Sequence, residues 1–153
     1  MPKRSAGLLF YRTKGAATEV FLVHPGGPFW KNKDADAWSI PKGEFEDNEE
    51  PLEAAKREFR EETGLAATGE FLPLHPVRQP SGKVVYAWAQ ESSFDAEVVR
   101  SNSFSMEWPH GSGRIAEFPE VDRAAWFPIE TAKEKILKGQ MPFLDQLLRR
   151  VSK

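Results

Sequence analysis

The 153-residue chain contains no cysteine. Disulfides and thiolate metal sites are therefore excluded. Histidine is scarce: His24, His75 and His110 are the only three. Their spacing fits no metal motif, so they read as structural or surface groups. No stretch approaches the ~18 apolar residues that a membrane-spanning helix needs. The opening Met1-Pro2-Lys3-Arg4-Ser5-Ala6-Gly7 lacks an apolar segment long enough for export, so the expected location is cytoplasmic, with no membrane partner. A strong charge of one sign is missing too: 21 basic and 23 acidic residues leave −2. That surface is too weakly basic to predict duplex nucleic acid as a partner. What remains is an ordinary globular composition, 40% apolar and 29% charged. A chain of this length is expected to form one domain, residues 1–153, with a real core.

Charge is unevenly placed along the chain. Residues 42–65 hold nine acids and four bases, a local net charge of −5 against +3 for the remainder. An acidic centre in a mildly basic surround suits a phosphate-rich ligand carried with a divalent cation. The segment reads as a short helix bounded by glycines. Proline is tolerated in the first turn, which puts the start near Glu49 to Pro51. Gly64 is a typical residue just past a helix end. At about 100° per residue, Leu52, Ala55 and Phe59 share a stripe of roughly 60°. Glu58, Glu61 and Glu62 take the adjacent arc of about 100°, and Glu53, Lys56, Arg57 and Arg60 cover the outer face. Three carboxylates thus border the buried stripe, where like charges raise one another's pKa. Mg²⁺ relieves such repulsion, since it prefers a few carboxylates, retained waters and substrate phosphates. A solvated acidic face has the same charge pattern, so the pattern alone leaves both readings open.

Around this segment strands and helices alternate. Residues 6–11 and 19–24 read as a hairpin across a Gly-containing turn. Residues 25–30 form a loop by their Pro and Gly. Further strands are expected over 69–74, 77–78, 84–90 and 124–127, with Pro80-Ser81-Gly82 as a turn. Residues 92–113, rich in Ser, Asn, Gly and Pro, are expected to form a long loop or insertion. Helices are expected over 129–138 and 142–150; in the second, Phe143, Leu144, Leu147, Leu148 and Val151 recur at helical spacing. The alternation implies sheet and helix layers of the α/β (α+β) class. It does not give the topology.

The flanks add a resemblance. Gly43, Glu49, Arg57, Glu58, Phe59, Glu61, Glu62, Gly64 and Leu65 fill every fixed position of the Nudix box. That box is a glycine, five residues, Glu, seven residues, Arg-Glu, an apolar residue, any residue, Glu-Glu, any residue, Gly and an apolar residue. Nine specified positions lie within 23 residues, with Phe59 bulkier than the usual aliphatic. Trp38-Ser39-Ile40-Pro41-Lys42 is similar to the strand that leads into the box. The resemblance implies an α/β/α sandwich with a mixed sheet, and hydrolysis of a nucleoside diphosphate linked to another moiety. It implies Glu58 and Glu62 as Mg²⁺ ligands, with Mn²⁺ as an alternative cation. Glu61 is then a ligand or a partner to the metal water, and the backbone carbonyl of Lys42 a further oxygen ligand. Arg57 would orient a box glutamate by a charge-assisted hydrogen bond, with Glu49 as partner. The general base stays open between Glu58 and Glu120. Glu120 lies in a stretch that resembles the acid before a Trp-Phe strand in diadenosine tetraphosphate hydrolases. It is either a catalytic or metal-binding group there or a surface acid.

Substrate contacts follow more loosely. Lys42, Arg78 and Lys83 are candidates to hold phosphates, against the ordinary solubilising role of loop cations. Phe29 and Trp30, Tyr86 and Trp88, or Trp108 are candidates to stack a base, although strand aromatics such as Tyr86 also pack cores. The implied activity is a pyrophosphohydrolase acting on a small nucleotide, dinucleoside polyphosphates or nucleoside triphosphates first. ADP-ribose or a nucleotide sugar comes next. A non-catalytic sensing module is the rival of a different class, but such modules typically lose box glutamates that this chain retains. Monomer and homodimer both fit.

Overall fold

The computed structural model describes residues 3–151. Strands β1 (Arg4–Lys14) and β2 (Ala17–Pro25) form an antiparallel hairpin. After a loop, the short β3 (Lys42–Glu44) pairs antiparallel with β1 and leads to helix α1 (Pro51–Thr63). Strands β4 (Leu72–Pro73), β5 (Val77–Arg78) and β6 (Val84–Glu91) follow. A second hairpin, β7 (Ser103–Glu107) and β8 (Ile115–Pro119), stands apart as its own two-stranded sheet. Strand β9 (Val121–Pro128) and helices α2 (Ile129–Lys135) and α3 (Met141–Val151) close the chain.

Among the described residues seven strands form one mixed sheet, with β4-β6-β1-β2-β9 in order, β3 also on β1 and β5 also on β6. β1 and β6 run parallel; the other pairs are antiparallel. Strand alternation sends Leu8, Phe10, Phe21 and Val23 to one face and Leu9, Val20 and Leu22 to the other. Strands buried on both faces need a helix layer on each. α1 supplies one with Ala54, Ala55 and Phe59; α2 and α3 supply the other with Ile129, Ala132, Phe143, Leu144 and Leu147. Burying a side chain such as Phe59 or Leu147 contributes about 1.5–3 kcal/mol. The architecture is the α/β/α sandwich with a mixed sheet that the resemblance implied. Among the described residues no helix is long and apolar enough to cross a membrane.

α1 starts at Pro51 and ends at Gly64, whose φ of +77° and N–H bond to the Arg60 carbonyl (2.7 Å) cap it. Other boundaries depart from expectation. Residues 92–113 are not one loop: they hold a short 3₁₀ turn at Ala96–Val98 and all of β7. Phe104 and Met106 alternate there with Ser103, Ser105 and Glu107, a strand pattern hidden by the polar composition. The approach to the box, residues 38–42, is not a continuous strand. It makes isolated bridges, Ser39 with Val23 and Trp38 with Ile136, before β3 begins. The latter bridge also ends α2 early: Ile136 is extended (ψ 146°), and Leu137 N–H donates to the Trp38 carbonyl (2.8 Å). The strand expected over 69–74 is only Leu72–Pro73.

Candidate active site

β3 lies under α1, and the glycine between them sets how closely they approach. A Cβ on Gly43 would overlap the Glu58 carboxylate. Glycine here therefore answers a close approach of side chain to backbone rather than a turn. One helical turn further, Glu62 accepts a hydrogen bond from the Lys42 backbone N–H.

Arg57 gathers the outer carboxylates. Its Nε and Nη2 donate to the two Glu49 oxygens at 2.8 and 2.9 Å, a bidentate pair. Its Nη1 donates to Glu58 Oε2 at 2.6 Å and to both Glu61 oxygens at 3.1 Å. These bonds, Glu49's first, raise the guanidinium above its ordinary pKa. One fixed cation thus orients three box glutamates.

Among the described residues no guanidinium bonds to Glu62. Burial pushes its carboxyl up to about 8; the Lys42 ammonium opposes that rise, and Glu58 and Glu120 add to it. Glu58 is raised as well, by burial first, with Arg57 opposing. Glu120, exposed as a residue, is raised by partial desolvation of its carboxyl and then by Glu61. Burial, and then the neighbouring Lys83, hold Lys42 below its usual range. Lys83 itself is paired with Glu44 at 3.2 Å.

Glu120 occupies a one-residue bend between β8 and β9. Its N–H donates to the Asn102 carbonyl (2.8 Å), and its own carbonyl accepts from Gly26 (2.9 Å). This bend, α1 and the loop after β2 enclose a cleft of about 210 Å³ lined by Val23, Trp30, Lys42, Glu62, Glu120 and Leu137, among others. Its lining combines two acids and one base with apolar side chains. Lys33 Nζ lies 5.2 Å from the Trp30 ring.

The structure therefore brings together Lys42, Glu58, Glu62, Glu120 and Trp30, with Arg57 and Glu61 adjoining. Other candidates stand elsewhere. Tyr86 packs edge-on against Phe45 (6.1 Å) in the α1-side core, with Trp88 in the same cluster. Strand alternation turns that face to the helix, so neither ring lines the cleft. Arg78 is exposed on β5 and does not line it either. Phe29 is exposed and meets Trp108 at 5.4 Å outside it. His24 is fully buried, its ring nitrogens 2.7 Å from Asp122 Oδ1 and 2.6 Å from the Lys33 carbonyl. Leu137 and Val23 were not singled out from the sequence as wall residues. Residues 129–138 read as one helix, and the break that turns Leu137 to the cleft comes from the bridge to Trp38.

The donor set suits a divalent cation. Glu58, Glu62 and Glu120 are all oxygen donors, all held above the ordinary carboxylate range by desolvation, which at the exposed Glu120 is only partial, and Glu58 and Glu120 both add to the charge that Glu62 must face. Among the described residues no three His, Cys, Asp or Glu side chains stand so that they could hold a metal ion together; Arg57 holds Glu58 and Glu61. A few carboxylates beside open space is the Mg²⁺ pattern, in which waters and phosphates complete the shell.

The chain matches the NUDIX domain model over residues 1–147. It is 30% identical over 162 residues to an 8-oxo-(d)GTP phosphatase of Mycolicibacterium smegmatis, across 98% of this chain and 41% of that protein. It is 31% identical over 121 residues to an RNA pyrophosphohydrolase of Xanthomonas campestris pv. campestris, across 72% of this chain and 59% of that protein. It thus spans between about two fifths and three fifths of these relatives' lengths. The NUDIX domain of Shewanella oneidensis NrtR, complexed with ADP ribose, superposes with a TM-score of 0.68 at 16% identity, over 99% of this chain and 89% of that one. A C. elegans Ap4A hydrolase in a binary complex gives 0.66 at 20% identity, over 97% and 98%. These two likenesses concern the fold. With the domain match across nearly the whole sequence and the box glutamates gathered on α1, the chain belongs to the Nudix family.

Proposed function

We propose that this chain is a Mg²⁺-dependent pyrophosphohydrolase of nucleotides, with Mn²⁺ as an alternative cation. One observation carries the reading: Glu62 and Glu120, from two separate elements, line one cleft with Lys42, Trp30 and aliphatic side chains, and Glu58 stands close enough to add to the charge that Glu62 faces. A divalent cation bound by Glu58, Glu62 and the Lys42 carbonyl, with Glu61 or Glu120 adjoining, would supply an acidified water and offset phosphate charge. Arg57 keeps Glu58 and Glu61 oriented. The Lys42 ammonium faces the phosphates, with Lys83 behind it. Glu120 or Glu58 takes the proton from the attacking water as a phosphorus–oxygen anhydride bond breaks. Proton transfer of this kind typically contributes 10²–10⁴-fold. Trp30, Val23 and Leu137 receive the apolar face of a base.

Dinucleoside polyphosphates and nucleoside triphosphates are the favoured substrates. The names of the relatives, 8-oxo-(d)GTP phosphatase, RNA pyrophosphohydrolase and Ap4A hydrolase, share a nucleoside carrying a chain of phosphates. The ADP ribose complex of NrtR keeps ADP-ribose and nucleotide sugars as the second reading. Incubation with a panel of these compounds and Mg²⁺, with products separated by anion exchange, tests the proposal. Cleavage of a triphosphate or dinucleoside polyphosphate between phosphates is expected. Binding of nucleotides without turnover of any panel member contradicts it and favours a sensing module.

A further inference from the structure

The bend that carries Glu120 is held on both sides by close packing. Gly26 is buried, and a Cβ there would overlap the carbonyl oxygen of Pro119, the residue before Glu120. Its N–H donates to the Glu120 carbonyl at 2.9 Å, while the Glu120 N–H donates to Asn102 at 2.8 Å. Next to it, a Cβ on Gly27 would stand 2.9 Å from Phe104 Cζ of β7. Gly27 has a φ of +100°, which alone favours glycine; Gly26 is not among the positive-φ glycines. Close approach to the Pro119 carbonyl is thus the reason for glycine at position 26. Little apolar burial is served there, because Pro119 and Glu120 are both exposed. The Glu120 carboxyl is what the contact holds in place at the cleft it shares with Glu62.

We propose that Gly26 is a positioning residue for Glu120. Its missing side chain admits the Pro119 carbonyl, and its N–H fixes the Glu120 peptide, so the carboxylate keeps its place beside Glu58 and Glu62. This rests on the role in turnover proposed above for Glu120. A side chain at position 26 pushes the bend outward, and a shift of about 1 Å at a reacting group can cost on the order of 10²-fold.

A double-mutant cycle tests it: Gly26→Ala, Glu120→Gln and the pair, with kcat and KM measured on the best nucleotide substrate in Mg²⁺. Gly26→Ala is expected to lower kcat about 10–100-fold, with KM changed less than about threefold. The double mutant is expected to be no slower than Glu120→Gln alone, because residues acting through one group are not additive. Losses that multiply overturn the proposal. So does a raised KM with kcat retained, for then Gly26 only shapes the loop that carries Trp30. If Glu120→Gln keeps wild-type kcat, the role of Glu120 itself fails, and Gly26 has nothing to position. Should Gly26→Ala not fold, a backbone ester in place of the amide at Gly26 is tested instead, since it removes the N–H that holds the Glu120 carbonyl without adding atoms. The same loss and the same non-additivity are expected, and wild-type kcat in the ester variant overturns the proposal.

Discussion

At Glu62 burial favours the protonated carboxyl and lifts it to about 8, with Lys42 the first group to oppose the rise. In the unfolded chain the same group ionises near its ordinary value of 4.5. Between these values the folded chain binds the extra proton, so without cation stability falls as pH rises through that window. Glu62→Gln removes the effect. In EDTA the variant is predicted to melt above wild type by roughly 3–8 °C at pH 8, with no difference near pH 4.5. Melting curves across that range check it; a pH-independent difference contradicts it. Adding Mg²⁺ at pH 8 should reverse the order, raising the wild-type melting temperature by mass action while moving the variant little. Na⁺ at equal ionic strength should do neither. The pairing of Arg57 with Glu49 was expected from the resemblance to the Nudix box, and the bidentate bond bears it out. The burial of Lys42 was not, because it depends on β3 docking beside β1, a contact between residues far apart in sequence.

Glycines at the two ends of the box separate placement from stability at the level of elements. Gly64 ends α1 at φ +77°, a conformation that costs a residue with a Cβ about 1–2 kcal/mol. Gly64→Ala is predicted to lower the melting temperature by about 2–8 °C and to leave kcat within about twofold. Gly43 is different, since its Cβ would occupy the space of the Glu58 carboxylate. Gly43→Ala is predicted to lower kcat at least tenfold by displacing a proposed cation ligand. Melts and kinetics on both variants check the contrast, and equal losses of turnover contradict it. α1 itself was readable from Pro51, Gly64 and the Leu52–Ala55–Phe59 stripe because its signals are local. The β7–β8 hairpin was not: serines interrupt Phe104 and Met106, and the pairing with Ala116 and Phe118 crosses a Gly/Pro-rich turn. Nor was the break after Lys135, which a distant bridge to Trp38 imposes.

For the molecule as a whole, layers were predictable and strand order was not. Hydrophobic alternation shows that a strand is buried on both faces but not which strand lies beside it, so the parallel β1–β6 pair had to come from the structure. The same limit applies to the cleft. Lys42 and Glu62 belong to the box and the residue before it, whereas Glu120, Trp30 and Leu137 converge from three distant segments. Of these, Glu120 and Trp30 were reachable as separate candidates, and only the fold makes them neighbours. The central claim is that this carboxylate cluster turns over nucleotide anhydrides with a divalent cation. Steady-state turnover of wild type and Glu62→Gln on one nucleotide substrate, in Mg²⁺ and in EDTA, tests it most directly. Turnover by wild type in Mg²⁺ alone, with Glu62→Gln slower by at least about 10²-fold while still folded, is the predicted result. Near-normal turnover by Glu62→Gln, or full-rate hydrolysis in EDTA, would contradict it.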